Sequence, residues 1–189
     1  MKNLSEVEES AGFVNKYMEP GISRGVVISS IEGVELGNNK SLGIKVTIQN
    51  KEGQTCDNVY WMNDIVGEGK EKSAQDVSLP QLKKIAHEAG CLDAFNAINL
   101  TETDNVAWTL ALGVKLNTLL VNKTLDVCLW GKINSYDGKT FVKAIFGVGN
   151  FCEAPETTPT TLKFDPTNVK HLPVIPTAVA AASPGRSSW

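Results

Sequence analysis

The 189-residue sequence contains no apolar run long enough for a membrane helix and no apolar segment near its start. Its least polar stretch, residues 106–121, is interrupted by Thr109, Lys115, Asn117 and Thr118, whereas a transmembrane helix needs about 20 predominantly apolar residues. Three glutamates within the first nine residues occupy the place where a secretory signal requires an apolar stretch. We therefore expect a cytoplasmic protein that does not contact a membrane.

The sequence also lacks the residue patterns on which most enzymes and metal sites depend. Its two histidines are His87, in a predicted helix, and His171, near the C-terminus, and neither has a positioned partner for acid–base catalysis. Its four cysteines form no C-x-x-C pair, so we expect reduced, partly buried thiols. No nucleophile elbow, P-loop or H-E-x-x-H motif occurs. These absences predict that the protein is not an enzyme and uses no cofactor or metal.

Negative charge slightly exceeds positive charge overall, and one segment has a local excess of lysine. The formal net charge is -3, which is not the strongly basic balance of a typical nucleic-acid-binding domain. Residues 123–143 nevertheless contain four lysines against two aspartates. Any basic surface is therefore expected to be local and to involve this segment.

Composition divides the chain into three parts. Six of the eight prolines lie at or beyond Pro155, together with many Thr, Ala and Ser residues, and this composition is typical of a disordered tail. The turn signal Glu19-Pro20-Gly21 marks the other boundary. We predict an N-terminal extension at 1–20, one domain at 21–150 and a Pro/Thr/Ala-rich tail at 151–189. Residues 153–189 should be protease-sensitive and dispensable for the stability of the domain.

Hydrophobic periodicity predicts five strands and a helical segment. Residues 21–35 form a long strand, bent near Ser29, and strands at 44–49 and 55–62 follow. Ser78 is placed to cap a helix that ends at Gly90, and further helical spacing continues to Leu119. A D-G turn joins two last strands at 125–133 and 140–147.

Three strands, a helical insertion and a two-stranded hairpin follow the order of the OB-fold, a five-stranded Greek-key barrel. We therefore predict a mainly β protein: a five-stranded OB-fold-like barrel with a helical insertion between strands 3 and 4, plus a disordered C-terminal tail. A different small β-barrel is the alternative, because the helical insertion is longer than such a barrel needs.

Aromatic residues interleaved with lysines form the candidate binding site. Alternation in the fourth strand places Leu125, Val127 and Leu129 on one face and Trp130 and Lys132 on the other, which in a closed barrel is the outside. Unpaired bases stack on such rings without sequence preference. The alternative is that Trp130 packs beneath the helical insertion. The candidate DNA-binding residues are Lys40, Lys45, Tyr60, Trp61, Trp130, Lys132, Tyr136, Lys139, Phe141 and Lys143.

Tyr60 and Trp61 are adjacent on the third strand and therefore point to opposite faces. One of them belongs to the core and the other is exposed. The sequence leaves open which is which.

Four segments carry a resemblance to a known family. They are 17–22 (YMEPGI), 42–48 (LGIKVTI) with the following Glu52-Gly53, 119–124 (LLVNKT) and 136–140 (YDGKT). Over about residues 15–150 the chain resembles the single-stranded DNA-binding proteins of tailed bacteriophages. The resemblance implies an OB-fold protein that coats single-stranded DNA during phage DNA replication or recombination, without a cofactor and without catalysis.

The C-terminal segment is the candidate contact for replication or recombination proteins, with Leu172, Val174, Ile175 and Trp189 as its apolar anchors. A competing hypothesis is that it folds over the DNA-binding face. A further alternative is a virion or assembly structural protein with a β-barrel body and an extended C-terminal arm. That alternative fits the charge and the tail composition equally well.

Overall fold

The computed structural model describes residues 16–136, 139–147 and 149–165, with backbone alone at 133–136 and 139–141. The predicted D-G turn residues Asp137 and Gly138, residues 1–15 and residues 166–189 lie outside the described residues. The elements are β1 (Gly21–Leu36), β2 (Ser41–Gln49), β3 (Thr55–Trp61), α1 (Ala74–Glu88), α2 (Leu92–Asn96), α3 (Asn105–Leu120), β4 (Thr124–Tyr136), β5 (Lys139–Ile145) and β6 (Cys152–Glu153).

The strands form one antiparallel sheet with the order β3-β2-β1-β4-β5, and the short strand β6 pairs with β4. The mainly β architecture and the helical segment between the third and fourth strands are confirmed. The sheet is not closed, because no ladder joins β3 to β5 among the residues that the structure describes.

Strand β1 belongs to both halves of the sheet. Its first part pairs with β4 and its later part with β2, and the register with β2 shifts between Ile28 and Ser30. The predicted bend near Ser29 is thus confirmed. A bulge of this kind bends a strand and increases its twist, so the two halves of the sheet curl toward each other around the core.

Apolar residues of all five long strands and of α1 and α3 form a single core. Helix α1 begins earlier than the sequence pattern predicts, because Ser73 and Asp76 form a reciprocal capping box. Ser78, the predicted cap, is buried inside the helix instead. Asp104 caps α3 by accepting a hydrogen bond from the Ala107 amide at 2.9 Å.

Helix α3 packs against the later part of β1 at very short range. A Cβ atom at Gly113 would lie 2.2 Å from the backbone nitrogen of Gly33, so two glycines permit the backbones to touch. The Asn117 side chain accepts a hydrogen bond from the Ile31 amide at 3.0 Å. This amide lies where β1 has separated from β4, and α3 takes the place of a neighbouring strand there.

The described part of the C-terminal segment lies against the sheet. Phe151, Cys152, Glu153 and Leu162 are buried, and β6 pairs with β4. At the other end, Met18 is buried and its amide donates to the Thr55 carbonyl at 3.0 Å. Residues 16–20 and 151–165, which the composition assigns to an extension and a tail, therefore pack with the domain.

The four cysteines are free and buried, as the sequence predicts. Burial raises the pKa of Cys56 and of Cys152 to about 12, so both thiols stay protonated and unreactive at neutral pH. In the described part of the chain, every helix is too short or too polar to cross a bilayer.

Candidate nucleic-acid interface

Trp61 lies on the outward side of β3, supported by a glycine on the neighbouring strand. Register places Trp61 opposite Gly43, which lies opposite Val34 on β1. A Cβ atom at Gly43 would lie 3.5 Å from the Trp61 ring and 2.5 Å from the Val59 side chain. Because Gly43 has no side chain, the Trp61 and Val59 side chains can pack directly against the β2 backbone. Trp61 keeps 40% of its surface exposed.

Tyr60 points the other way and belongs to the core. It is 1% exposed, and its ring meets Phe146 edge-on with 6.1 Å between the centroids. Its hydroxyl makes no hydrogen bond of good geometry to a described residue. Burial raises the pKa of Tyr60 against a smaller opposing effect of the Asn58 side chain. Tyr60 was a candidate from the sequence, but its ring is enclosed in the core and is not available to a ligand at the surface. The structure resolves the ambiguity in favour of Trp61.

The lysines predicted on the first strands lie beside acidic residues. Lys45 is half-buried on β2, where register places it between Glu32 of β1 and Val59 of β3. Lys40 is exposed in the β1–β2 turn with a positive φ of 50°, and its Nζ lies 3.6 Å from the Glu35 carboxylate. Lys45 thus belongs to the same side of the sheet as Trp61, whereas Lys40 lies at its end.

The β4–β5 hairpin brings the other candidate residues to one side of a ribbon. Directly opposed residues in an antiparallel pair share a face, and the register opposes Trp130 to Ile145, Lys132 to Lys143 and Tyr136 to Lys139, with Phe141 opposite Asn134. Lys132 is exposed and Lys143 half-buried. For Tyr136, Lys139 and Phe141 the structure describes the backbone position alone. By register, all six predicted hairpin residues occupy the same side: Trp130, Lys132, Tyr136, Lys139, Phe141 and Lys143.

Trp130 is less accessible than the sequence pattern predicts. Asp126 and Cys128, on the same side of β4, are buried, because residues 149–165 cover this part of the strand. Trp130 is half-buried at the border of the covered region, and a Cβ atom at Gly149 would lie 3.7 Å from its ring. The covering element is the C-terminal segment, which the composition assigned to a free tail.

Over the described residues, side-chain contacts, instead of backbone hydrogen bonds, connect β3 to β5. We call this line of contact the β3–β5 seam. Lys143 Nζ lies 3.4 Å from Asp57 Oδ1, and the Cys56 thiol donates to the Ala144 carbonyl at 3.3 Å. The outward sides of the two edge strands are therefore continuous.

The continuous surface carries four of the predicted residues and one residue that the prediction missed. We call it the Trp–Lys face and define it by Lys45, Asp57, Trp61, Lys132 and Lys143. Asp57 has a signal in the sequence, because strand alternation places it on the same side as Trp61. No signal in the sequence predicts that Asp57 lies close to Lys143, which is 86 positions away.

A second polar region lies where the first part of β1 meets β4. An open cavity of about 780 Å³ is lined by residues that include Arg24, Lys51, Asp126 and Glu156. Arg24 donates to Asp126 and Glu153 at 2.7 and 2.8 Å. The lining charges are of both signs, and Arg24 is already paired with two carboxylates.

The described residues contain no group of three or more His, Cys, Asp or Glu side chains that could hold a metal ion. Neither a scan against protein-family models nor a search of curated proteins finds a match to this chain.

Proposed function

We propose that this protein binds single-stranded DNA without sequence preference through the Trp–Lys face, and that it acts in phage DNA replication or recombination. The observation that carries the proposal is the Trp61 indole, supported by Gly43 and exposed on a strand surface that also presents Lys45, Lys132 and Lys143. The proposed role in phage DNA replication or recombination rests on the sequence resemblance alone.

The spacing of this face suits an extended strand of nucleic acid. Positions two residues apart on a strand are about 6.8 Å apart. Lys45 lies opposite Val59, two positions from Trp61, and is therefore about that far along the strand from Trp61. Asp57, with Lys143 beside it, is about twice as far from Trp61. A ring that stacks on one base and lysines that contact the following phosphates provide affinity without reading base identity.

The strand order supports the OB-fold-like barrel that the sequence predicts. The sheet runs β3-β2-β1-β4-β5, and the contacts of the β3–β5 seam bring its two edges together. In the OB-fold, the face of strands 2 and 3 binds oligonucleotides. Trp61 and Lys45 lie on those two strands.

Fluorescence anisotropy of a labelled oligo-dT tests the proposal, with Trp61→Ala compared to Trp61→Phe. Loss of one stacked ring costs about 1–3 kcal/mol, so Trp61→Ala should weaken binding about 5- to 150-fold while the melting temperature stays nearly unchanged. Trp61→Phe keeps a ring and should lose less. Tyr60→Phe is the matched control from the buried side of the same strand and should bind as wild type.

A duplex of the same length provides the second comparison. Ring faces and single lysines do not recognise paired bases, so the duplex should bind more weakly than the single strand. Equal affinity for both forms, or no binding of oligo-dT at low salt, would contradict the proposed function.

A further inference from the structure

We infer that Asp57 limits the affinity of the Trp–Lys face by competing with nucleic-acid phosphate for Lys143. The inference rests on the proposed function and adds to it a residue that determines affinity and salt dependence. Asp57 would act as an internal substitute for a phosphate, present on the face before the ligand arrives.

The contact between the two side chains is close but open to solvent. Lys143 Nζ lies 3.4 Å from Asp57 Oδ1, and the two side chains retain 40% and 32% of their exposed surface. An ion pair that is this accessible is weak. A phosphate can therefore reach Lys143 and replace the carboxylate, although the carboxylate then repels the phosphate that has displaced it.

The charge of Lys132 increases the expected effect of Asp57 on phosphate binding. Register places Lys132 directly opposite Lys143 on the neighbouring strand, where like charges repel each other. Asp57 lies on the far side of Lys143 and offsets that repulsion. Without the Asp57 charge, Lys132 and Lys143 form an uncompensated pair of cations, which is the more favourable surface for phosphate.

Salt dependence measures this competition. Each phosphate that a protein cation neutralises on a single strand contributes about -0.7 to the slope of log K against log salt. In the wild type, a phosphate that binds Lys143 must displace the Asp57 carboxylate, so Lys143 contributes less than this amount to the slope. In Asp57→Asn, the slope should become steeper by up to about 0.7, which at 0.1 M salt corresponds to at most roughly fivefold tighter binding.

The experiment is a salt titration of fluorescent oligo-dT binding to the full chain. Asp57→Asn is compared with Glu52→Gln, which makes the same change in net charge in the exposed β2–β3 turn. We expect Asp57→Asn to bind up to about fivefold more tightly with the steeper slope, and Glu52→Gln to keep the wild-type slope. In the Lys143→Met background, the effect of Asp57→Asn should become clearly smaller, because only the repulsion between Asp57 and phosphate is then removed.

A second comparison uses variants that retain Asp57. Because Lys132 is exposed and Lys143 is held by Asp57, Lys132→Met should lose more affinity than Lys143→Met. A greater loss of affinity in Lys143→Met than in Lys132→Met overturns the inference. An Asp57→Asn variant that binds oligo-dT no more tightly than Glu52→Gln also overturns it. Absence of oligo-dT binding by every variant, at low salt and with native melting temperatures, overturns the proposed function instead.

Discussion

Tyr60 and Trp61 are neighbours in the sequence and have opposite roles in the structure. Strand alternation predicts that they point to opposite faces, but the third strand has apolar side chains on both sides, Cys56 with Tyr60 and Val59 with Trp61. The choice of face depends on Gly43, which leaves space for Trp61 outside the sheet, and on Phe146, which packs against Tyr60 inside it. Gly43 and Phe146 both lie outside the third strand, so the sequence of that strand alone does not predict which of the two aromatic residues is exposed.

Tyr60→Phe should leave the free energy of unfolding unchanged or raise it slightly. The Tyr60 hydroxyl is buried and makes no hydrogen bond of good geometry to a described residue, and a polar group in that position costs about 1–3 kcal/mol. Chemical denaturation of both proteins measures the difference. Tyr60→Ala is the control and should lose about 3–5 kcal/mol, because it removes the buried ring itself. A clear loss of stability in Tyr60→Phe would show that the hydroxyl has a partner.

The Glu153 carboxylate predicts how stability depends on pH. Burial would raise its pKa, but hydrogen bonds from Thr160, Thr161 and Arg24 outweigh burial and lower the pKa from 4.5 to about 2. A carboxyl group with a lowered pKa in the folded state stabilises the protein above its unfolded pKa and loses this effect as it becomes protonated. The contribution is therefore complete above about pH 4.5 and lost as the pH falls to about 2.

Melting temperatures of the wild type and of Glu153→Gln across this pH range provide the test. The wild type should be the more stable protein at neutral pH, and the difference should decrease between pH 4.5 and 2. Glu156→Gln, an exposed neighbour, is the control and should show little difference at any pH. A difference for Glu153→Gln that is independent of pH would contradict the assignment.

At the scale of elements, the sequence predicts the strands well and the start of α1 poorly. Period-two alternation locates β2 and β3, since each has one buried and one accessible side. For α1, two serines each have a suitable polar residue three positions later, Ser73 with Asp76 and Ser78 with Gln81. The apolar spacing favours Ser78, whereas the chain uses Ser73, whose side chain and backbone both bond to Asp76.

The packing of α3 against β1 leads to a prediction about Gly113. An alanine in a helix is favoured over glycine by about 1 kcal/mol, but a Cβ atom here would lie 2.2 Å from the Gly33 nitrogen, which belongs to backbone and cannot rotate away. Displacing the helix costs about 1–3 kcal/mol or more. Gly113→Ala should therefore be less stable by thermal denaturation.

Val114→Ala is the matched control for that experiment, because Val114 is 67% exposed on the same helix. It improves helix propensity without a steric conflict and should be neutral or slightly stabilising. A stabilised Gly113→Ala variant would show that α3 and β1 are farther apart than described.

At the scale of the whole molecule, residues 151–165 pack against the sheet, although their composition predicts a tail. The Pro- and Thr-rich segment looks like a free tail because its apolar groups are few, yet Phe151 and Leu162 are buried. Its attachment relies on Arg24, which contacts Glu153 from 129 positions away. Such a contact leaves no local periodicity, so residue spacing could not reveal it.

Two truncations test where the domain ends. A chain of residues 1–150 loses Phe151, β6 and one of the two carboxylates that bind Arg24, so its melting temperature should be clearly lower than that of the full chain. A chain of residues 1–165 keeps these contacts and should melt close to the full chain. Equal melting temperatures for all three would show that residues 151–165 add nothing to stability.

Asn117 has a consequence for behaviour at high concentration. An uncovered strand edge presents amide and carbonyl groups that can pair with another molecule, which is a common route to aggregation. On β1, the Ile31 amide is occupied by the Asn117 side chain, and α3 lies along the rest of this edge. The Asn117 side chain therefore occupies a backbone group through which this part of β1 could otherwise pair with a second molecule.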